Sequence, residues 1–355
     1  MGEVNETVRN ISDTKRIESF SYIRAVACIA IVILHTAYAS IIMYGDTVTN
    51  RRLILSRLAE YGMMWAVPCF IMVTGSLLLD ANKKLGLKKL FTKYILRVFC
   101  ALVLFCIIIR MVDMSLQQET LSIIVLIDGL GAMFTGSSWA YLWYLYALIG
   151  LYLLLPFYKK IVQYSIQEEL KYLLGIYILF LSVLPILKIW DINCGFYIHT
   201  STIYPMYLFL GYMIHNDIIR IRKKGYICIA VAATILVGTI TVIRWGYEVQ
   251  AVESLLGYSS VFIIAQAAGI FGFIDKTEWN SAGIIKKILI KIDECSFGIY
   301  LIHMIFVKII LSYVGYNPYK TIGGLGICIM VPGILLISGL VTWILKRIPI
   351  INKIV

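Results

Sequence analysis

Ten stretches of this chain are apolar over lengths that reach toward both faces of a bilayer, and that repetition limits the fold more than any motif does. A helix needs about 20 apolar residues to cross roughly 30 Å of hydrocarbon. Backbone polar groups that must be satisfied internally leave only helices or closed barrels as spanning structures. The stretches lie near 21–43, 59–79, 92–112, 139–157, 171–189, 203–218, 226–245, 254–273, 293–314 and 325–345. Their length, without strand-like alternation, predicts an all-α polytopic membrane protein with about ten transmembrane helices. The sixth is short, Pro68 interrupts the second, and the glycine-rich stretch 120–136 reads as a re-entrant or surface helix. The chain is 60% hydrophobic and 15% charged, where a soluble domain carries about a quarter charged residues.

The first twenty residues, MGEVNETVRNISDTKRIESF, are polar and carry both signs of charge. They hold no short apolar run ending in a small-residue cleavage site, so the first apolar stretch is expected to remain as a membrane helix. We read 1–355 as a single membrane domain with a polar cytoplasmic segment at 1–20. The eight cysteines are scattered singly. Seven fall in or beside apolar stretches and Cys194 alone is loop-borne, so neither a disulfide framework nor a metal site is expected.

A net charge of +12 could point to nucleic acid, but its distribution points to topology. With the N-terminus inside, Arg51, Arg52, Arg57, Arg110, Lys188, Arg244, Lys308 and Lys320 fall outside or near the outer ends, leaving 24 of the 32 basic residues on the cytoplasmic side. That bias predicts a multi-pass protein of the cell membrane with both termini cytoplasmic. The basic face also suits anionic headgroups or an anionic cytoplasmic substrate, and nucleic acid is not an expected partner.

The first apolar stretch, YIRAVACIAIVILHTAYAS, carries Arg24 and His35. Eleven residues amount to three turns plus about 20°, so both lie on one helix face about 16 Å apart. An ionisable group inside a spanning helix is a functional hypothesis by default. For His35 and His303 the alternative is a neutral imidazole hydrogen-bonded between packed helices. For Arg24 it is snorkelling to the headgroups. His199 and His215 sit in or next to loops and read as solvated surface histidines.

Five stretches in order resemble the acyltransferase-3 family of integral membrane acyltransferases: YIRAVACIAIVILHT, VPCFIMVTGSLLL, WAYLWYLYALIGLYLLLPF, YLFLGYMI and SFGIYLIHMIF. Together they cover nearly the whole chain, and the nearest subgroup is the polysaccharide O-acetyltransferases without a fused hydrolase domain. The resemblance implies transfer of an acyl group, usually acetyl from acetyl-CoA, to a hydroxyl of an envelope polysaccharide or lipid-linked saccharide, with no metal. It puts His35 on the catalytic histidine and Arg24 on the helix-1 arginine. Of the family's basic pair at the start of helix 3, one member matches Arg97 and the other falls on Tyr94, with Lys93 adjacent. Arg24, Lys93 and Arg97 are thus the candidate binders of the acyl-CoA donor. Ser21 stands where many members have Asp, so an ion pair to Arg24 is missing or supplied elsewhere. Trp143, Tyr144, Ser296, Tyr300 and His303 fall in the family's polar and aromatic motifs, as substrate-facing or structural groups. For the last three, structural hydrogen bonding is favoured. Two other readings stay open: a transporter or flippase built on the same bundle, and a non-catalytic partner in polysaccharide synthesis. Membrane lipid is an expected partner, and a homodimer is left open.

Overall fold

The computed structural model describes residues 2–80, 83, 85–120, 123–190, 192, 194–196, 198, 202–247, 253–279, 283–320 and 324–355. The helices run in order as α1 (Gly2–Tyr44), α2 (Asn50–Gly62), α3 (Ala66–Leu78), α4 (Leu87–Lys89), α5 (Leu96–Leu116), α6 (Ile124–Thr135) and α7 (Trp143–Tyr164). Then come α8 (Gln167–Ile178), α9 (Tyr204–His215), α10 (Lys223–Tyr247), α11 (Glu253–Leu256), α12 (Val261–Asp275), α13 (Ile284–Lys308) and α14 (Gly326–Leu345). No strand occurs among the described residues. Wider π turns join α4 to α5 at Leu90–Ile95 and extend α13 through Ile309–Tyr313. Such turns interrupt a regular helix and are frequent at functional sites.

Eight helical runs among the described residues are long and apolar enough to cross a membrane: Glu18–Thr47, Arg52–Leu78, Leu87–Leu116, Ala140–Tyr164, Gln167–Trp190, Lys223–Arg244, Ile284–Tyr313 and Gly326–Leu345. The sixth and eighth apolar stretches of the sequence come out shorter, as α9 with 12 residues and α12 with 15. At 1.5 Å per residue these reach about 18 and 22 Å, less than a bilayer core. They are enclosed by other helices instead of facing lipid. Every residue of α9 from Pro205 to His215 except Tyr212 is buried, and α12 packs against α1, α3, α9 and α10. The stretch 120–136 contributes α6, a surface helix that lays Gly129 against the backbone of α5 at Ile107 and leaves Ile127 and Phe134 exposed.

α3 and α9 cross at two glycines. A Cβ on Gly75 would run into the Leu208 carbonyl, and one on Gly211 into the Met72 carbonyl. Small residues let membrane helices approach this closely, where packing replaces the missing hydrophobic drive. Gly211→Ala must therefore push two backbones apart, and overpacking typically costs 1–3 kcal/mol. We expect its thermal unfolding midpoint in detergent to fall clearly below wild type. Gly150→Ala, which meets open space, should not lower it. Equal midpoints for the two variants would contradict the close crossing.

α1 packs along α13, and α13 along α14. On α1 the buried positions Ala25, Ala27, Ala30 and Ala37 are at most 2% exposed, so the neighbouring backbones come near. Side chains join α1 to α13 at four levels among the described residues, Glu18 to Lys286, Arg24 to Asp293, Cys28 to Ser296 and His35 to His303, with sequence separations of 268, 269, 268 and 268 residues. A constant offset means that the two helices run parallel and in register.

Candidate active site

The register brings two stripes face to face. On α1 the positions are Arg24, Cys28, Ile31 and His35; on α13 they are Asp293, Ser296, Tyr300 and His303. Both follow the three-and-four spacing that keeps side chains on one helix face. At the first rung Arg24 donates from Nε to Asp293 Oδ1 at 2.6 Å and from Nη2 to Oδ2 at 2.8 Å. Such a two-pronged pair fixes both planes. One turn on, the Cys28 thiol meets the Ser296 carbonyl oxygen at 3.8 Å. At the far rung His35 Nδ1 lies 2.8 Å from His303 Nε2.

The histidine pair has a defined proton order. His303 Nδ1 is 3.0 Å from the Ile299 carbonyl oxygen, which can only accept, so Nδ1 of His303 carries the hydrogen. A neutral His303 then presents Nε2 as an acceptor. His35 must donate to it from Nδ1, which leaves the lone pair on His35 Nε2. His303 is fully buried while His35 is partly exposed. The pair therefore holds one basic nitrogen in a fixed orientation on a partly exposed residue, an arrangement suited to a general base.

A cavity of about 1030 Å³ opens between α1, α3, α5, α7 and α13. Its mouth carries Lys93, Arg97, Lys346 and Lys353, and Arg24 lies in its wall with Asp293. The π turn at Leu90–Ile95 supplies Lys93 and Tyr94 to this wall. The inner lining reaches Ser296, Tyr144 and Tyr300. Tyr300 stands between the cavity and the histidines: it lines the former, and its ring is 6.2 Å from that of His303. Tyr300 and Tyr141 lock each other, since the Tyr300 hydroxyl donates to the Tyr141 carbonyl at 2.6 Å and the Tyr141 hydroxyl to the Leu301 carbonyl at 2.8 Å. Tyr141 also faces both imidazoles, 6.1 Å from His35 and 5.6 Å from His303.

The acyltransferase domain family's sequence model matches residues 17–343. The chain belongs to the acyltransferase-3 family. It is a multi-pass membrane acyltransferase, and the match does not favour the transporter reading. No curated protein and no solved structure matches the chain.

In this acyltransferase the structure gathers most of the residues read from sequence, with changes of detail. His35 and His303, read separately, form one pair. Arg24, Lys93 and Arg97 share the cavity. Arg24, however, spends its guanidinium on Asp293, the carboxylate that Ser21 does not supply. Arg97 donates from Nε to the Ile354 carbonyl at 3.3 Å and lies over the Phe297 ring. Tyr144 lines the cavity beside Tyr300, with ring centres 5.5 Å apart. Trp143 turns instead into a cluster with Tyr204 and Tyr258, each 5.3 Å away. His215 corrects the sequence reading: it is buried, its Nδ1 lies 2.9 Å from Asp275 Oδ1, and its ring meets Phe20. Its place at the end of α9 looked solvated, but α1 and α12 close over that end. His199 lies outside the described residues.

Sequence reasoning missed Asp293, Tyr141, Lys346 and Lys353. For Asp293 a signal was there, because it precedes Ser296, Tyr300 and His303 at spacings of three, four and three. Tyr141 had no such signal.

Proposed function

We propose that this acyltransferase moves an acetyl group from cytoplasmic acetyl-CoA to a hydroxyl of a cell-envelope saccharide. The observation that carries this reading is the cavity with a lysine- and arginine-rich mouth, whose inner end is lined by Tyr300. The Tyr300 ring lies 6.2 Å from that of His303, the partner of His35. Acyl-CoA is polyanionic at one end and carries a thioester at the other. Lys93, Arg97, Lys346 and Lys353 suit the phosphates, with arginine offering a planar fork and lysine a point charge. The tyrosine-lined interior suits the slender acyl-bearing arm. His35 Nε2 takes the proton of the saccharide hydroxyl as its oxygen bonds to the thioester carbonyl carbon. His35 then returns that proton to the sulfur as the carbon–sulfur bond breaks, so ester and free thiol form without net proton change.

Two tests follow from the charges. Hydrogen bonds to charged groups contribute about 1.5–3 kcal/mol, so Arg97→Ala should weaken CoA binding roughly tenfold or more. The readout is the ligand-induced rise of the unfolding midpoint. An unchanged CoA response in Arg97→Ala and in Lys93→Ala would remove the donor assignment. The same reading needs the cavity mouth, and with it both termini, on the cytoplasmic side of the cell membrane, as the basic bias implies. A reporter that fluoresces only in the cytoplasm should light up when fused after Val355, and a dark but stably inserted fusion would refute that orientation.

A further inference from the structure

At the end of the bundle away from the cavity mouth, side chains from three elements meet. Asp113 lies near the end of α5, Lys308 ends α13, and Trp139 precedes the tight turn Ala140–Leu142 that leads into α7. At 1.5 Å per residue, Asp113 is about 24 Å along its helix from Arg97, and Lys308 about 22 Å from Asp293. The Asp113 carboxylate accepts the indole N–H of Trp139 at 2.9 Å through one oxygen and the Lys308 ammonium through the other. The same ammonium sits over the Trp139 ring, 4.5 Å from its centre. A hydrogen bond at its edge and a cation over its face thus hold the indole in place.

This group is separated from the histidines by one ring, that of Tyr141. The Trp139 ring is 6.4 Å from that of Tyr141, which in turn faces His35 and His303. Asp113, Trp139, Lys308 and His35 are all partly exposed, and none of them lines the basic cavity. An ion pair within spanning helices is costly and marks function by default. A fixed aromatic plate with a carboxylate at its edge and an ammonium over one face matches a sugar ring: C–H groups against the opposite face of the indole, hydroxyls donating to Asp113 and accepting from Lys308. A few convergent polar groups beside an aromatic surface are the usual makeup of a small-ligand site.

We propose that Asp113, Trp139 and Lys308 form the acceptor subsite, which holds a pyranose ring of the saccharide so that a hydroxyl passes Tyr141 to reach His35. This rests on the reading of the protein as a saccharide O-acyltransferase and adds the place of the acceptor. Donor and acceptor approach from opposite ends of the bundle, with the histidine pair and the Tyr141–Tyr300 layer between them.

The test measures alkali-labile acetyl ester on the envelope polysaccharide of cells expressing each variant, beside the CoA-induced thermal shift of the purified protein. Trp139→Ala and Asp113→Asn should lower ester release about tenfold while keeping the CoA shift. Trp139→Phe keeps a ring for the sugar but loses the N–H bond to Asp113, and should retain at least about half of the wild-type ester. If Trp139 serves only to tie α5 to the start of α7, Trp139→Phe will fail as badly as Trp139→Ala, and the subsite is overturned. Wild-type ester release from Trp139→Ala beside an inactive His35→Ala would also overturn it, leaving the enzyme reading intact. A wild type with no more saccharide ester than His35→Ala would overturn the enzyme reading itself.

Discussion

Replacing His35 by alanine should lower acyl transfer by at least about two orders of magnitude, since a positioned acid–base group typically contributes 10²–10⁴ in rate. The substitution deletes the only imidazole nitrogen in the pair whose lone pair the hydrogen-bond order leaves uncommitted. It adds no charge to α1, so insertion should survive. His303 Nε2 loses its donor, but His35 is partly exposed and water can take its place. The CoA-induced thermal shift, set at the far end of the cavity, should stay close to wild type. Because only the unprotonated ring can act as base, the wild-type rate should climb with pH and then level as His35 becomes neutral. Labelled acetyl transfer, measured on protein whose unfolding midpoint is intact, is the deciding readout. A folded His35→Ala variant that acetylates at near the wild-type rate would end the catalytic assignment.

The second large effect is expected at His303, which touches neither the cavity nor the solvent. Its role is positional: its Nε2 accepts from His35 Nδ1, and which ring nitrogen of a histidine is protonated is set by the partner of the other. His303→Leu fills much the same volume with nothing that accepts. His35 is then free to turn or to exchange its tautomer, and turnover should fall about 10- to 100-fold, the scale on which losing an orienting partner of a functional imidazole is felt. His303→Gln places an amide oxygen where Nε2 was and should recover a good part of the rate. A merely structural role predicts another pattern, with stability falling in His303→Leu and turnover following it down. Equal turnover in His303→Leu and wild type at equal stability would dismiss the positioning role.

The membrane class, the placing of the helices and the pairing of Arg24 with His35 on one face were legible because each depends on local spacing alone. Apolar length sets where a helix can cross, and 3.6 residues per turn put positions 24 and 35 on the same side. Two of the ten apolar stretches became short enclosed helices, because hydrophobicity by itself does not separate a span facing lipid from one hidden among neighbours. The same blindness made His215 look solvated, when α1 and α12 in fact cover it.

Within α13 the spacing of Asp293, Ser296, Tyr300 and His303 was as readable as that of α1. The chain by itself thus determined two polar stripes, each on an apolar helix. Only the tertiary structure decided that they face each other. Arg24 meets Asp293 and His35 meets His303 across 268 or 269 residues of sequence, and no periodicity along a chain encodes a contact at that distance. What selects the partner is packing. Small residues on α1 admit a close parallel neighbour, and a paired carboxylate and guanidinium cost far less inside a bundle than either group alone.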